Sequence, residues 1–332
     1  MKVAITGANG FVGAALCKYF FSAGHQVIAL GNQDKPNPKL LKMATYIKTD
    51  ITKSMDLIDA DVCIHTAALP SDTDTYKSLI ISNVEGTLNV VEAARNCKFI
   101  IHISSSTVYE FEDEPVKEDN ATIQSKLSDY GETKLLAEDI LEIDIPSHQR
   151  RMILRPRAIY GIGELMLLPR LLKLISGNLL LCPVRDNIHT SLTHVDNIGY
   201  AIELFIDKKD AKPINIYNIC DEKPYSLKDL MLITASSVWK KQFKPVYIPR
   251  FILELVLFVN TRMHNYKTIS RPVVDSLNKN AVLDTWRIRK ELGYMPQNTF
   301  DKTLPQIIKW IDSFGGAKEY IKRPQEALWA SF

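Results

Sequence analysis

The sequence predicts a doubly wound α/β fold, in which helices cover both faces of a parallel sheet and a smaller, mostly helical part follows. Three observations predict it. Short runs rich in valine and isoleucine are apolar throughout instead of alternating, which is typical of strands covered on both faces. Helical patterns separate these runs, so right-handed crossovers join parallel strands. A glycine-rich turn, residues 7–13, links the first strand to the first helix.

The first half of the chain alternates strands and helices. The predicted strands are residues 2–6, 26–30, 45–48, 62–65, 99–104 and 151–154. The predicted helices are residues 12–23, 82–96 and 130–143, and an acidic loop at 110–120 precedes the last of them. Residues 214–219 form one further strand, which we expect to rejoin the sheet.

The second half has a looser pattern. Residues 165–175 are predicted to be helical, and the chain from about residue 221 is mostly helical with interrupting prolines. We therefore divide the chain into a dinucleotide-binding domain, residues 1–160 plus 190–220, and a substrate-binding cap, residues 161–189 plus 221–332. The cap is placed over the carboxyl edge of the sheet, where open α/β sheets bind ligands.

Composition restricts the class of protein. Of 332 residues 46% are hydrophobic, and 41 Lys and Arg against 38 Asp and Glu give a formal net charge of +3. The charges form no basic block, so we expect no nucleic-acid partner. No apolar run approaches the roughly 20 residues of a membrane span. The chain opens on a strand and not on a signal peptide, so we expect a cytoplasmic protein.

The cysteines are odd in number and far apart in the sequence. They are Cys17, Cys63, Cys97, Cys182 and Cys220. No CxxC or Cys/His spacing suited to a metal occurs among them. We expect reduced, buried thiols and no metal site.

The glycine-rich turn has the spacing of a dinucleotide-binding turn. Gly7 permits the tight turn, Gly10 lets the backbone approach a pyrophosphate, and Gly13 allows close packing of helix on sheet. The following helix presents unpaired N–H groups and the positive end of its dipole to the anion. The alternative is a glycine turn that only packs, but its position between a strand and a helix favours the dinucleotide.

The end of the second strand bears on the choice between NAD and NADP. An acidic residue that binds the ribose usually lies there, but the sequence reads Gly31-Asn32-Gln33-Asp34-Lys35. Gly31 offers no carboxylate to repel a 2′-phosphate, and Lys35 can attract one. The sequence therefore leans slightly towards NADP, against the alternatives that Asp34 turns inward and that Lys35 is only a solvated charge.

A serine, a tyrosine and a lysine are predicted to form a catalytic group. Tyr130 and Lys134 are four residues apart, so they project from one face of a helix. The phenol has an ordinary pKa near 10, and a neighbouring ammonium lowers it towards the range of a general base. Ser105 follows the strand at 99–104 and can hydrogen-bond the oxygen whose proton Tyr130 removes. We interpret the adjacent Ser104 as a turn cap.

Taken together, these motifs resemble the extended short-chain dehydrogenases/reductases of the NAD-dependent epimerase/dehydratase family over nearly the whole chain. Residues 6–13 (TGANGFVG) match TGxxGxxG, and the Asp50-Ile51 pair, the segment His65-Thr66-Ala67-Ala68 and Asn83 match further positions. The interval from Ser105 to Tyr130, 25 residues, also matches. The resemblance implies that Ser105, Tyr130 and Lys134 are catalytic. It implies cofactor contacts from Gly7, Asn9, Gly10, Phe11, Val12, Gly13, Asp50, Ile51, Ala67, Asn83 and Lys134.

Departures from the family pattern favour one branch of it. Nucleotide-sugar epimerases usually carry an asparagine at the position of Ala158 and an arginine at that of Thr190. The segments LRPRAIYGIG, LPRLL, LTHVDN and ELGYMP resemble instead the 3β-hydroxysteroid dehydrogenase-like branch. This predicts an NAD(P)-dependent oxidoreductase acting on a secondary alcohol or ketone. A nucleotide-sugar epimerase is the alternative, and a non-catalytic dinucleotide sensor is a remote one.

Apolar segments in the predicted cap indicate a largely apolar small-molecule substrate. They are residues 165–172, 179–181 and 251–259, although packing within the cap explains most of their side chains. Arg157 and Arg185 are either contacts for an anionic group or surface charges. The resemblance also implies a homodimer built on the helices at 82–96 and 130–143.

Overall fold

A computed structural model describes residues 1–70, 74–111, 114–122, 127–184, 187–249, 251–253, 255, 277 and 279–331. Its centre is a seven-stranded sheet in the order β12-β6-β5-β4-β1-β2-β3, with every neighbouring pair parallel. The strands are β1 Lys2–Thr6, β2 Gln26–Gly31, β3 Thr45–Lys48, β4 Val62–His65, β5 Phe99–Ile103, β6 Arg150–Pro156 and β12 Ile214–Ile219. The predicted doubly wound fold is confirmed, including the return of β12 to the sheet.

Alternate residues of each central strand enter separate cores on the two faces of the sheet. Val3 and Ile5 of β1 pack with α1 (Phe11–Ser22) and α7 (Val195–Asp207) on one face. Ala4 lies on the other face, in a cluster with residues of α4 (Gly86–Ala93) and α5 (Asp129–Glu142). Both faces are covered, which explains why these strands are apolar without alternation.

Helix α7 is absent from the sequence prediction, although it contributes to the larger core. Its buried residues include Ile198, Ala201, Ile202 and Phe205, a spacing that places them on one helical face. The other helices and small strands of the described residues follow. The helices are α2 Pro38–Leu41, α3 Tyr76–Leu79, α6 Leu167–Leu172, α8 Leu227–Trp239, α9 Trp286–Leu292, α10 Phe300–Ser313, α11 Ala317–Lys322 and α12 Pro324–Leu328. The strands are β7 Ile159–Tyr160, β8 Ile175–Ser176, β9 Leu179–Cys182, β10 His189–Thr190, β11 Thr193–His194, β13 Tyr225–Ser226 and β14 Lys244–Tyr247.

Two predicted helices have different bounds in the structure. The prediction for 82–96 starts too late, because helical structure begins with α3 at Tyr76 and continues through a π-helical turn, Ile80–Glu85, into α4. Thr75 caps its start by accepting a hydrogen bond from the Ser78 amide, a signal absent from the apolar pattern. Helix α6 is shorter than the predicted 165–175. None of the described helices combines the length and the apolar character needed to cross a membrane.

The order of the strands places the ligand-binding edge. The chain runs from β1 through β2 to β3 on one side of the sheet, and then continues at β4 on the other side of β1. In such sheets a crevice opens beyond the carboxyl ends of the strands where the direction reverses. The loops after β1, β4, β5 and β6 therefore surround one site.

Candidate functional site

A cavity of about 1100 Å³ lies at this edge, and most of the predicted site residues line it. Those in its wall are Gly7, Asn9, Gly10, Phe11, Val12, Gly13, Asp50, Ile51, Ala67, Ser105 and Tyr130. Asn83 and Lys134 are buried and do not belong to the wall. The structure thus brings the glycine turn, the serine and the tyrosine into one cavity.

The glycine turn is shaped by close backbone contacts. Gly7 has a φ of +67°, and a Cβ atom there would lie 2.8 Å from the backbone of Ala67. A Cβ atom at Gly13 would lie 2.3 Å from the carbonyl oxygen of Gly7. Helix α1 starts at Phe11 after Gly10, which caps it without a side chain. The first residues of α1 line the cavity, so their unpaired amides are available to an anion there.

The loop that follows β2 forms part of the cavity rim and is held by Tyr46. Its hydroxyl accepts hydrogen bonds from the side-chain amide of Asn9 and from the backbone of Gln33, both at 3.1 Å. A Cβ atom at Gly31 would lie 2.4 Å from Asn9 Nδ2, so a side chain at this position would displace Asn9. Asn9 Oδ1 is buried and has no hydrogen-bond partner among the described residues. This orphaned acceptor suits a donor group on a bound cofactor.

Asp34 and Asp50 are the acidic residues closest in sequence to this rim, and both have partners. Asp34 forms an ion pair with Lys48 at 2.5 Å and is not part of the cavity wall. Asp50 is in the wall and accepts hydrogen bonds from the hydroxyl and the amide of Thr52, which lower the pKa of its carboxyl. A carboxylate held ionised at this point can accept hydrogen bonds from a ligand.

The segment after β4 is fixed to β1 by a buried hydroxyl network. Thr6 Oγ1 lies 2.8 Å from His65 Nδ1 and accepts the amides of Thr66 and Ala67 at 3.2 Å. Burial, reinforced by the charge of Lys134, lowers the pKa of His65 to about 3, so the ring is neutral. These bonds hold Ala67 against Gly7.

Ser105 and Tyr130 line the same cavity, and α5 packs very closely on the loop after β5 that carries Ser105. A Cβ atom at Gly131 would lie 2.3 Å from the carbonyl oxygen of Thr107, so only glycine allows this approach. Ser105 Oγ accepts hydrogen bonds from the amide and the hydroxyl of Thr107, at 3.2 and 2.9 Å. It therefore caps the 3₁₀ turn Ser106–Val108.

The interpretation of Ser104 as a turn cap is wrong. Its hydroxyl donates to the carboxylate of Glu138 on α5, and its amide donates to Leu154 on β6. Glu138 also forms a buried ion pair with Arg155. The serine thus joins a buried polar network beneath the cavity, and Ser105 is the capping residue.

Lys134 lies beneath the cavity, one turn along α5 from Tyr130. Its Nζ donates to the carbonyl oxygen of Ile103 at 2.9 Å and lies 3.0 Å from Nε2 of His102. Burial lowers the pKa of Lys134 to about 8 and holds that of His102 well below its usual range. An ammonium has no acceptor, so His102 Nε2 accepts this bond. His102 was not identified from the sequence.

Asn83 makes its hydrogen bonds to other residues of the protein. In the π-helical turn, it exchanges hydrogen bonds with the backbone of Leu69 and donates to Thr133 Oγ1 at 3.1 Å. It therefore ties the segment after β4 to α5. The match to the family asparagine identified the position, and the structure supplies these partners.

The far wall of the cavity is apolar and comes from the second half of the chain. It includes side chains from α6, α8 and neighbouring segments, namely Leu165, Met166, Leu168, Leu171, Leu192, Leu230 and Met231. Of the apolar segment 251–259, Ile252 and Leu253 line the cavity, and residues 254 and 256–259 lie outside the described residues. Within the described parts of the chain no group of metal-ligating side chains is found, and all five cysteines are buried thiols.

Known proteins match the chain over most of its length. The pattern of the NAD dependent epimerase/dehydratase family matches residues 3–220. A 2-alkyl-3-oxoalkanoate reductase of Stenotrophomonas maltophilia is 26% identical, covering 92% of this chain and 98% of the relative. A 3-beta-hydroxysteroid dehydrogenase of Mycolicibacterium neoaurum is 24% identical, covering 93% and 91%. Among solved structures, MoeE5 in complex with UDP-glucose and NAD has a similar fold, with a TM-score of 0.73 at 22% identity over 94% of this chain and 99% of that one.

Proposed function

Because the chain belongs to the NAD-dependent epimerase/dehydratase family, we propose that it is an NAD(P)-dependent oxidoreductase that transfers a hydride between nicotinamide and a secondary alcohol or ketone. One observation carries the proposal: the glycine turn, Ser105, Tyr130 and an apolar wall share a single cavity. Two relatives named as a reductase and a dehydrogenase match 92% and 93% of this chain, which supports the same reaction class.

The residues of the glycine turn fit a dinucleotide. The missing side chains at Gly7 and Gly13 leave room only for backbone, and the amides at the start of α1 can bind a pyrophosphate. Asn9, Asp50, Ile51 and Ala67 would hold the remaining parts. When bound, the cofactor supplies the carbon that accepts or donates a hydride.

In this proposal the protein residues handle the proton and the substrate oxygen. Tyr130 takes the proton of the substrate hydroxyl during oxidation and returns it during reduction. Ser105 donates a hydrogen bond to the same oxygen, and its bonds from Thr107 hold it in place. The ammonium of Lys134, fixed by Ile103 and His102, lies one helical turn away and favours the tyrosinate. Asn83 positions the segment that carries Ala67.

We propose that residues 161–189 plus 221–332 form the substrate-binding cap, and that residues 1–160 plus 190–220 bind the dinucleotide. The apolar wall belongs mainly to the first of these parts. A largely apolar substrate suits this wall, because burying apolar surface contributes roughly 25 cal/mol per Å² to binding.

The test is an assay of the purified protein with NADPH or NADH and a panel of ketones and secondary alcohols. The oxidoreductase changes the absorbance of the reduced nicotinamide in proportion to product. Conversion of a nucleotide sugar to its epimer with no net change in cofactor supports the alternative and overturns the proposal. Binding of cofactor without activity on ketones, secondary alcohols or nucleotide sugars overturns the proposal and supports the remote alternative, a non-catalytic dinucleotide sensor.

We further propose a preference for NADP. Gly31 cannot be replaced by an acidic residue without displacing Asn9, and Asp34 is engaged by Lys48. The cavity rim after β2 therefore has no carboxylate that faces a 2′-phosphate. Titration with both reduced cofactors should give the lower Kd for NADPH, and a lower Kd for NADH contradicts this preference.

We also propose a homodimer formed through α4 and α5. Leu88 on α4 is 44% exposed, and the hydroxyl of Tyr76 on α3 donates to Glu132 on α5 at 2.8 Å. An exposed leucine on a helix that packs beside α5 suits a helical interface. Light scattering should give twice the chain mass, and Leu88→Arg should give one chain mass. A monomeric parent protein contradicts the dimer.

A further inference from the structure

Arg157 has the features of a binding residue for an anionic substrate group. We propose that it binds the carboxylate of the substrate, so that the enzyme acts on a hydroxy or oxo acid with an apolar chain. The inference rests on the proposed hydride transfer and adds the substrate class to it.

Arg157 lies at the reactive edge of the sheet. Strands β5 and β6 are neighbours, and Ile103 of β5 pairs with Leu154 of β6. Ser105 lies two residues after Ile103, and Arg157 lies three residues after Leu154. Neighbouring strands are roughly 4.8 Å apart, and both Ser105 and Arg157 line the cavity. One ligand in this cavity can therefore contact both Ser105 and Arg157.

The guanidinium of Arg157 has no hydrogen-bond or ion-pair partner among the described residues. Its Nε is buried and unsatisfied, and the guanidinium is held only by the ring of Phe111, whose centroid lies 5.0 Å away. The preceding buried arginines differ. Arg155 is paired with Glu138, and Arg151 donates to Gln149 and to backbone carbonyls.

The Nε of Arg157 is buried although the residue as a whole is only partly buried, and leaving that donor without a partner is costly to the folded protein. Burial alone lowers the pKa of Arg157 to about 10, with no carboxylate acting against it, and the group is still charged at neutral pH. A ligand anion that completes its hydrogen bonds recovers that cost on binding.

The other charged residues in the cavity wall do not provide the same site. Asp50 and Glu164 are acidic, and Glu164 accepts the amides of Met166, Leu167 and Leu168 at the start of α6. Arg170 is exposed to solvent. Arg185 lies outside the described residues, and within them Arg157 is the cation of the wall that has a buried nitrogen.

The position and the charge favour a carboxylate over a phosphate of the cofactor. Arg157 follows β6, three strands from β1 and its glycine turn, a distance of roughly 14 Å. A single planar guanidinium matches one carboxylate in a bidentate pair. The leucine and methionine side chains of the adjoining wall suit an alkyl chain attached to that carboxylate.

The experiment compares binding of 3-hydroxydecanoate and of its methyl ester to the protein loaded with oxidised cofactor, by titration calorimetry. The acid should bind at least tenfold more tightly than the ester. Arg157→Gln should lower the affinity for the acid about 10- to 100-fold and change that for the ester less than twofold. Arg157→Lys should restore part of the loss. Arg95→Gln, at an exposed arginine outside the cavity wall, is the matched control and should change neither.

Equal binding of acid and ester by the parent protein overturns the inference, and so does an equal loss of both in Arg157→Gln. Thermal unfolding of the two Arg157 variants checks that each is folded. If the acid binds through Arg157 but no substrate panel changes the nicotinamide absorbance, the hydride-transfer proposal fails and the anion site stands. If neutral ketones are reduced and acids are not preferred, the inference fails and the proposed function stands.

Discussion

The two walls of the cavity are built in different ways. The wall around the glycine turn is made largely of backbone, brought close where Gly7 and Gly13 have no side chains. The opposite wall is made of leucine and methionine side chains from α6 and α8. The first wall comes from consecutive loops of one parallel sheet, whereas the second needs segments that are distant in sequence.

Because of this difference, the two walls suit different kinds of ligand. A backbone wall fixes one shape, so it suits a cofactor that is the same in every reaction cycle. A side-chain wall changes with each substitution, so it can be fitted to a particular substrate. Tyr130, Ser105 and Arg157 line the same cavity, and Arg157 is the residue to which we assign the substrate carboxylate.

Removing the phenol oxygen should have the largest effect and should leave both walls intact. We expect Tyr130→Phe to lower kcat by about 10²- to 10⁴-fold, because positioned acid–base catalysis contributes that much. Cofactor Kd should change less than twofold. Steady-state kinetics and a cofactor titration measure the two quantities. Retention of more than a tenth of the activity contradicts the role of Tyr130.

The backbone wall is tested by adding one carbon to it. Gly13→Ala places a Cβ atom 2.3 Å from the Gly7 carbonyl oxygen, so we expect a loss of about 1–3 kcal/mol in stability and at least tenfold in cofactor affinity. Gly24→Ala is the matched control. Gly24 has a φ of +82° but open space around it, so it should cost only about 1 kcal/mol of backbone strain and leave the cofactor Kd unchanged. Equal effects of the two changes on cofactor affinity contradict the close-contact argument.

The same difference explains what the sequence could predict. The glycine turn and the buried strands are local patterns, so their positions and most of their bounds are confirmed. The roles of Ser104 and His102 depend on partners 34 and 32 residues away, Glu138 and Lys134, which no local pattern identifies.

Two other features that the sequence analysis did not predict have a recognisable sequence pattern. Gly131 directly follows Tyr130, and a glycine inside a predicted helix often marks a close approach. Helix α7 has an apolar repeat with helical spacing, at Ile198, Ala201, Ile202 and Phe205. The apolar wall differs, because its leucines follow the same pattern whether they line a cavity or fill a core.

The side-chain wall is tested by shortening one residue of α6. Leu171→Ala removes apolar surface from the cavity, and we expect KM for a substrate with a ten-carbon chain to rise about tenfold. KM for a four-carbon analogue and the cofactor Kd should both stay within twofold. A uniform rise for both substrates indicates a general packing defect and contradicts the assignment of this wall to the alkyl chain.

The smallest effect concerns the contact that joins the carboxyl edge of the sheet to β13. Asp221 follows β12 and accepts hydrogen bonds from the hydroxyls of Tyr160 and Tyr225, at 2.6 and 3.0 Å. Burial raises the pKa of Asp221 to about 6, so between pH 4 and 6 the folded state holds a proton that the unfolded state has released. The free energy of unfolding should therefore fall with rising pH through this window, by at most about 1.4 kcal/mol per pH unit from this group. Asp221→Asn should remove that contribution, as measured by urea unfolding at several pH values.

Asp61 provides a control of opposite sign, because hydrogen bonds from the Lys2 amide and from Lys98 lower the pKa of its carboxyl. Its stabilisation is lost as pH falls, so Asp61→Asn should change the slope in the other direction. An unchanged slope in Asp221→Asn contradicts a buried, proton-binding carboxylate at this junction.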